Sequence, residues 1–346
     1  MDKILITGGA GYIGTHIVKN LLKEGFSLMV LDNLSVGFIE PIEILKKKYG
    51  LKSHSNLEFI KGDLADKNLL EKIFKKDIEA VIHLAAKTDA VESVKNPELY
   101  HRENYINSIN LVEGMSSAGV NKLIFSSTAA VYGNPQYIPI DENHSTNPTN
   151  AYGQTKLDFE KYLERVENLK YIVLRYFNVG GSDPIGLIGK SHLQSEDLIE
   201  NIMKVVLGQK EILQIFGSDY DTEDGTSVRD FIHVEDVAIA HILSLENLEK
   251  FSRETLPAGR QVFNLGSEIG FSVKEIIDRA SLIINKEIPT QTVEKRQGDI
   301  AQSVASAQKA KEKLAWNPQY SNLDSIIRSD WNWRKKHPYG YTKGEV

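Results

Sequence analysis

Gly8-Gly9-Ala10-Gly11-Tyr12-Ile13-Gly14 lies between a short apolar stretch, Lys3–Thr7, and a helical pattern of apolar residues. A glycine at position 8 permits a tight turn after a strand. Gly11 lets the backbone approach a pyrophosphate, and Gly14 lets the following helix pack close to the sheet. The free N–H groups at the start of that helix would face the phosphates. This spacing predicts a dinucleotide-binding turn, although such glycines can also serve the turn alone.

A carboxylate, Asp32, directly follows the second predicted strand, Ser27–Leu31. It stands at the spacing where an acidic side chain bonds the hydroxyl pair of an adenosine ribose. This favours NAD over NADP, because a carboxylate would repel a 2′-phosphate. The alternative is that Asp32 is a turn residue at a strand end. Asp63 and Leu64, after the third predicted strand, are candidates to meet the adenine edge.

Short apolar segments alternate with amphipathic helical patterns over the first half of the chain. Brief, nearly continuous apolar segments are typical of parallel strands buried on both faces. The predicted strands are Lys3–Thr7, Ser27–Leu31, Leu57–Lys61, Ala80–Leu84, Lys122–Ser126 and Tyr171–Tyr176. The alternation predicts an α/β fold with a Rossmann-like, doubly wound parallel sheet.

The pattern changes after Asn178, where a glycine-rich loop and then a helix from about Asp197 to Leu207 are predicted. We predict an NAD-binding domain over residues 1–178 and a smaller C-terminal substrate-binding domain over residues 179–346. Part of about 230–265 is expected to return to the first domain. The segment Ser252–Gln261 is predicted to be a surface insertion.

The composition excludes several function classes. A net charge of −6 gives no indication of a nucleic-acid surface or an anionic-membrane surface. No apolar stretch approaches the roughly 20 residues needed to span a bilayer. The lack of cysteine excludes disulfides and thiolate chemistry, and nine scattered histidines predict no metal site. Because the chain enters a strand at residue 3, no signal peptide is expected and a cytoplasmic location is predicted.

Tyr152 and Lys156 are four residues apart, which puts both side chains on one face of a predicted helix. A protonated lysine and a positive nicotinamide ring both lower a phenol's pKa from about 10, which makes tyrosinate accessible near neutral pH. The spacing alone is weak evidence, because Tyr339 also has a lysine four residues later. Tyr152 differs in following the serine-rich end of a predicted strand. Thr128 at that end could share a proton with Tyr152, or it could cap a turn.

Three segments carry a family resemblance: the glycine-rich turn, 125–133 (Phe-Ser-Ser-Thr-Ala-Ala-Val-Tyr-Gly) and 147–156 (Asn-Pro-Thr-Asn-Ala-Tyr-Gly-Gln-Thr-Lys). The chain resembles the extended short-chain dehydrogenase/reductases, and more narrowly the UDP-glucose 4-epimerase family. Further similarity in 174–179, 215–234 and 296–299 extends the resemblance over essentially the whole chain.

The resemblance implies NAD-dependent epimerisation at C4 of a UDP-sugar, UDP-glucose or UDP-galactose, through a transient 4-keto intermediate, with a role in galactose metabolism. It implies a catalytic set of Thr128, Tyr152 and Lys156. The implied cofactor-binding residues are Gly8, Gly11, Tyr12, Ile13, Gly14, Asp32, Asn33, Asp63, Leu64, Tyr152 and Lys156. The implied substrate-binding residues are Thr128, Tyr152, Asn178, Arg229, Arg296 and Asp299. The two arginines would clamp the diphosphate, since a guanidinium suits bidentate phosphate contacts.

The chain departs from the family pattern at a few positions. Ala129-Ala130 stands where dehydratases have an acidic pair, which argues against dehydration. Thr88 replaces a frequent lysine, and Asp197 and Glu200 replace a frequent asparagine or histidine and a proline, so ligand contacts there are in question. Ser303 stands where a bulky gate is common, which leaves room for an N-acetyl group. UDP-N-acetylglucosamine is therefore an alternative substrate.

Two further functions stay open on the sequence alone. One is another nucleotide-sugar enzyme of the same fold, such as a uronate epimerase or a 4-keto reductase. The other is a non-catalytic, NAD-dependent binding protein. The resemblance also implies a homodimer through helices at about 97–117 and 151–168, with Ile106, Ile109 and Val112 as candidate contacts.

Overall fold

A computed structural model describes residues 3–49, 56–191, 197–251, 260–296 and 298–341. Its strands are β1 (Lys3–Thr7), β2 (Ser27–Asp32), β3 (Leu57–Lys61), β4 (Ile78–His83), β5 (Lys122–Thr128), β6 (Lys170–Tyr176), β7 (Asn178–Gly180), β8 (Leu213–Phe216), β9 (Val228–His233), β10 (Arg260–Leu265), β11 (Gly270–Ser272), β12 (Thr290–Val293) and β13 (Gln302–Ser303). The helices are α1 (Tyr12–Lys23), α2 (Ile39–Tyr49), α3 (Lys67–Phe74), α4 (Ala90–Lys95), α5 (Pro97–Tyr100), α6 (Asn107–Ser117), α7 (Ala151–Leu163), α8 (Leu198–Val206), α9 (Val234–Phe251), α10 (Val273–Ile284), α11 (Gln308–Lys313) and α12 (Leu323–Arg334). A π-helical stretch, His101–Ile106, joins α5 to α6.

The main sheet has seven strands in the order β10-β6-β5-β4-β1-β2-β3. Each neighbouring pair is parallel, which confirms the predicted Rossmann-like sheet. The other described strands form a sheet of β11-β9-β13, to which β7 adds by pairing with β9, and a pair of β12 and β8. Parallel pairing brings the carboxyl ends of all seven main strands to one edge, where folds of this kind bind their ligands.

All six predicted strands are present in the main sheet, with small differences at their ends. β5 continues past its predicted end because Ser127 and Thr128 pair with Arg175 and Tyr176 of β6. β4 begins at Ile78 rather than at Ala80. The extension of β5 matters for the site, because it carries the Thr128 side chain to the edge of the sheet.

The predicted surface insertion, Ser252–Gln261, lies mostly outside the described residues. At its end the prediction is wrong, because Arg260 and Gln261 begin β10 and Gln261 is 3% exposed. Val262, Phe263 and Leu265 are buried where β10 pairs with β6, so the strand belongs to the sheet rather than to a surface loop.

Side chains of the main sheet alternate between two apolar clusters, one on each face. In β1, Ile4 and Ile6 pack with residues of α1 and α9, whereas Leu5 packs with residues of α3 and α6. This alternation is the two-residue period of a strand covered on both faces. Each such buried side chain contributes roughly 1.5–3 kcal/mol. The two clusters together hold the helices that position the site.

A third apolar cluster packs helices α8, α10 and α12 against strand β9 of the smaller sheet. Its buried members include Ile202, Phe231, Ile276 and Ile326, one from each of these elements. The division into two domains stays our proposal. Within the described residues, α9 links the two parts, because its residues share an apolar cluster with α1 and β1. No helix in the described part of the chain combines the length and apolarity of a membrane span.

Candidate active site

A cavity of about 580 Å³ opens at the carboxyl edge of the main sheet. It is lined by residues from the loops after β1, β2, β3 and β4, from the ends of β5 and β6, and from more distant segments. The predicted site residues in its lining are Gly8, Gly11, Tyr12, Ile13, Gly14, Asp32, Asn33, Asp63, Leu64, Thr128, Tyr152, Asn178 and Arg296. Lys156 lies outside the lining, and so do Arg229 and Asp299.

The glycine-rich turn has no space for side chains at two positions. Gly8 has φ +71°, and a Cβ there would lie 2.6 Å from the backbone nitrogen of Ala85. A Cβ on Gly14 would lie 2.4 Å from the carbonyl oxygen of Gly8. Helix α1 begins at Tyr12, within this glycine-rich stretch, and its N-cap residue, Gly11, provides no side-chain cap. Its first N–H groups are therefore available to an anion, so this turn fits a pyrophosphate.

Asp32 holds the glycine-rich turn in place. Its Oδ2 accepts from the backbone nitrogen of Ala10 at 3.0 Å, and its Oδ1 accepts from that of Leu34 at 2.8 Å. Burial raises the pKa of Asp32, and these two hydrogen bonds oppose that rise. Asp32 therefore does bind the backbone of the turn, as its interpretation as a turn residue predicted. Each carboxylate oxygen still has a lone pair for a ribose hydroxyl, so both roles are compatible.

Asn33 and Asp63 lie together at the outer end of the same region. Asn33 Nδ2 donates to Asp63 Oδ2 at 2.6 Å, and Asp63 Oδ1 accepts from the backbone nitrogen of Ala65 at 2.9 Å. The loops after β2 and β3 are thereby joined, which forms the wall predicted to meet the adenosine.

Helix α7 carries the predicted catalytic pair. Asn150 caps it by accepting from the backbone nitrogen of Gly153 at 2.8 Å, which puts Tyr152 in the first turn. Thr128 favours the phenolate form of Tyr152, because its hydroxyl lowers the pKa of the phenol. Thr128 Oγ1 accepts from the backbone nitrogen of Ala130 at 3.1 Å, so the capping contact is present, and proton sharing with Tyr152 stays a prediction.

Burial dominates the electrostatics of the pair in the polypeptide alone. It raises the pKa of Tyr152 to about 12, against the hydrogen bond with Thr128. It also lowers the pKa of Lys156 to about 7, against the charge of Glu160. Lys156 Nζ donates to the carbonyl oxygen of Ser126 at 2.9 Å. A protonated Lys156 and a positive ligand group near Tyr152 would each lower the pKa of the Tyr152 hydroxyl toward neutral pH.

A buried ionic network next to Lys156 was missed by the sequence analysis. Arg175 Nε donates to Glu160 Oε1 at 3.0 Å, and Ser127 Oγ donates to the same oxygen at 2.5 Å. Arg175 also donates from Nη1 to the Tyr132 hydroxyl at 3.0 Å. These contacts tie α7 to β5 and β6, so they fix the helix on which Tyr152 and Lys156 stand. The residues are far apart in sequence and show no motif.

The predicted substrate residues divide into two groups. Asn178 and Arg296 line the cavity, and the Arg296 guanidinium lies 3.7 Å from the ring centroid of Phe216. Arg229 instead donates to the carbonyl oxygens of Val228 at 2.9 Å and Ile300 at 2.8 Å.

Asp299 is exposed in a turn and, like Arg229, lies outside the cavity lining. The side chain of Arg229 is engaged with backbone that follows this turn. The diphosphate role of Arg229 and the ribose role of Asp299 therefore stay predictions.

The residues that depart from the family pattern also divide into those that line the cavity and those that do not. Thr88 and Asp197 line the cavity, as does Lys87, the residue before Thr88. Glu200 and Ser303 are buried outside the lining. Cavity residues that the sequence analysis did not select include Glu103, Asn107, Tyr176 and Lys190. The π-helical stretch that carries Glu103 has no clear sequence signal.

The glycine-rich turn suits a dinucleotide, and Tyr152 lines the same cavity with Lys156 four residues later on helix α7. Together these features define an NAD-dependent enzyme of the short-chain dehydrogenase/reductase type. Comparison with known proteins agrees. The profile of the NAD dependent epimerase/dehydratase family matches residues 4–266, and the chain belongs to this family.

Similar proteins extend over nearly the whole chain. A UDP-glucose 4-epimerase of Halalkalibacterium halodurans is 43% identical over 343 residues, which cover 98% of this chain and 97% of that protein. A crystal structure of a UDP-glucose 4-epimerase is 44% identical with a TM-score of 0.89, covering 99% of this chain and 100% of the other. The UDP-glucose 4-epimerase of Bifidobacterium longum, solved in complex with NAD+ and UDP, is 35% identical with a TM-score of 0.90, covering 98% and 100%.

Proposed function

We propose that this protein catalyses the NAD-dependent interconversion of UDP-glucose and UDP-galactose by inverting C4. The observation that carries the proposal is a single cavity lined by the glycine-rich turn, by Tyr152 with its Thr128 partner, and by Arg296. The similarity to UDP-glucose 4-epimerases over nearly the whole length of both chains supports the same activity.

In the proposed reaction Tyr152 takes the proton of the sugar's 4-hydroxyl, and Thr128 orients that oxygen through its own hydroxyl. NAD, held by the glycine-rich turn and Asp32, would supply the hydride acceptor and donor. The 4-keto sugar turns over between the two transfers, so that the hydride would return to the opposite face of C4 while Tyr152 returns the proton to the 4-oxygen. The net reaction is redox-neutral, so no external reductant is consumed.

Activation of Tyr152 follows from the charges around it. Burial, which outweighs the opposing effect of Thr128, raises the pKa of Tyr152 to about 12, so the phenol is protonated near pH 7 unless a cation is nearby. Lys156, held on the carbonyl oxygen of Ser126, supplies part of that charge when protonated. The positive nicotinamide ring supplies the remainder. We therefore expect the base to form only in the loaded site, which would protect against unproductive proton transfer.

Anchoring of the diphosphate allows the sugar to turn over without leaving. We assign this role to Arg296, which lines the cavity and packs on Phe216. Packing on this ring restricts the position of the guanidinium. Asn178, exposed at the start of β7 in the same lining, is the proposed partner of the sugar nucleotide.

We further propose a cytoplasmic homodimer with a role in galactose metabolism. The helix of residues 97–117 and α7 are the proposed interface. Ile106 is 41% exposed on that surface, whereas Val112 is 1% exposed and packs against the sheet. Of the predicted contacts, Ile106 is thus the best candidate to meet a partner.

The test is incubation of the purified protein with UDP-glucose, UDP-galactose, UDP-N-acetylglucosamine and a UDP-uronate, without added reductant, followed by product NMR. We expect interconversion of the first two. Conversion only when NADH or NADPH is added, in equal amount to product, would instead identify a 4-keto reductase. Tight NAD binding without any conversion would favour a binding protein.

A further inference from the structure

Lys190 is a cation in the cavity lining. The sequence analysis did not select it, because it follows a glycine-rich loop and belongs to no recognisable motif. Its side chain is 16% exposed, and its Nζ lies 5.4 Å from the ring centroid of Tyr12. Tyr12 is the first residue of α1, next to the glycine-rich turn. Lys190 therefore lies beside the first turn of α1 and lines the same cavity as Asn178 and Arg296.

Asp197 holds this lysine in place. Its Oδ2 lies 3.1 Å from Lys190 Nζ, and its Oδ1 accepts from the backbone nitrogen of Ile199 at 3.0 Å as the cap of α8. A carboxylate fixed by a helix N-terminus restricts its partner ammonium as well. Within the described residues no other carboxylate lies within salt-bridge distance of Lys190 Nζ, so donors remain for a ligand.

The ammonium is charged in this position. Burial alone would lower the pKa of Lys190, but the carboxylates of Asp197, Glu200 and Asp330 outweigh it and raise the pKa. Glu200 already faces Arg334 Nη2 at 3.2 Å, and Asp330 accepts from Ser182 Oγ at 2.9 Å. The more distant carboxylates thus have closer partners of their own.

The pair also resolves an apparent conflict in the site. Asp197 lines the cavity, and an unpaired carboxylate there would repel a diphosphate. Lys190 cancels that charge and adds N–H donors on the cavity side. We propose that Lys190 binds the diphosphate of the UDP-sugar and that Asp197 is its positioning residue. This assignment rests on the proposed function.

The test is isothermal titration of the full-length, NAD-loaded enzyme with UDP, comparing wild type with Lys190→Gln. Lys204→Gln is the matched control, because Lys204 lies 3.5 Å from Glu200 in the same charged region but outside the cavity lining. We expect Lys190→Gln to weaken UDP binding about 10- to 100-fold, the range of a lost charged hydrogen bond, and Lys204→Gln to stay within about twofold. Bound NAD, quantified after denaturation, should be equal in all three proteins.

UDP affinity within twofold of wild type in Lys190→Gln would overturn the assignment. Loss of bound NAD with unchanged UDP affinity would also overturn it, and would point to the cofactor's diphosphate instead. If Lys190→Gln does not fold, Lys190→Met/Asp197→Asn removes both charges and keeps a capping side chain, and the same loss is expected. Wild-type protein that binds no UDP would refute the proposed function as well, which distinguishes the two failures.

Discussion

The cofactor half of the cavity lies at or directly after the carboxyl ends of strands β1, β2 and β3, and consists of Gly8–Gly14, Asp32, Asn33, Asp63 and Leu64. The substrate half lies on segments outside the main sheet, at the start of β7, before α8 and after β12, and consists of Asn178, Lys190, Asp197 and Arg296. Because parallel strands end at one edge, position after a strand suffices to place the first half. The second half depends on how the smaller sheets pack, which no local pattern records.

The largest effect is expected where the two halves meet, at the base. Tyr152→Phe removes the proposed proton acceptor and should lower kcat by about 10²–10⁴-fold, the range for loss of general-base catalysis. UDP affinity and NAD content should change little, because the phenyl ring keeps the shape of the wall. Steady-state kinetics with UDP-galactose and titration with UDP measure both.

Tyr176→Phe is the matched control for the base. Tyr176 is another tyrosine of the cavity lining, partly buried at the end of β6, and burial raises the pKa of its hydroxyl as it does that of Tyr152. We expect less than a tenfold loss of kcat in this variant. Equal losses in the two variants would show that Tyr152 is not the principal base.

Much of the fold and of the cofactor half could be predicted from the sequence. The strands and the glycine-rich turn depend on local steric demands, such as the 2.6 Å that separates a Cβ on Gly8 from Ala85. The family resemblance supplied the candidates Asn178 and Arg296, which line the cavity.

Other features could not be predicted from the sequence, for physical reasons. The pKa of Lys156 depends on how deeply α7 is buried, and spacing does not report burial. The position of the Arg229 side chain depends on the backbone near residue 300 that β9 meets only in the folded chain. Lys190 acquires its partner, Asp197, at the N-cap of α8.

The second prediction compares the two proposed diphosphate clamps. Arg296→Ala should weaken UDP binding by about 1.5–3 kcal/mol, the range for a hydrogen bond to a charged group, because its guanidinium lines the cavity. Arg229→Ala should chiefly lower the Tm, because the carbonyl oxygens of Val228 and Ile300 lose their donor. Titration with UDP and thermal unfolding separate the two effects.

The opposite result for Arg229→Ala would contradict this difference between the two arginines. If Arg229→Ala lost UDP affinity without a change in Tm, its guanidinium would have to leave these carbonyl oxygens when substrate binds. The role implied by the family resemblance would then hold, and the substrate half would rearrange on binding.

A third prediction tests the cofactor half through Asp32→Asn. The amide keeps one acceptor oxygen, so either Ala10 or Leu34 loses its hydrogen bond and a ribose hydroxyl loses a charged acceptor. We expect NAD affinity to fall about tenfold, equivalent to about 1.4 kcal/mol, and the preference over NADP to shrink. Competition binding of NAD and NADP to the cofactor-stripped protein measures both quantities. If Asp32→Asn preferred NAD over NADP as strongly as the wild type does, Asp32 would not bind the ribose, and its role would be limited to its contact with the turn.

The smallest effect is expected at Ser303, on which the alternative substrate depends. Ser303 is 8% exposed in β13 beside Arg229 and lies outside the cavity lining, so a larger residue acts only by moving the wall. Ser303→Leu should lower the ratio of UDP-N-acetylglucosamine to UDP-glucose turnover by less than about tenfold, since pocket fit is worth about 1–3 kcal/mol per methylene even in direct contact. Ser303→Ala, which keeps the volume small, should leave the ratio unchanged. Product NMR of both reactions gives the ratio, and wild-type protein that does not epimerise the N-acetylated sugar at all would exclude this alternative.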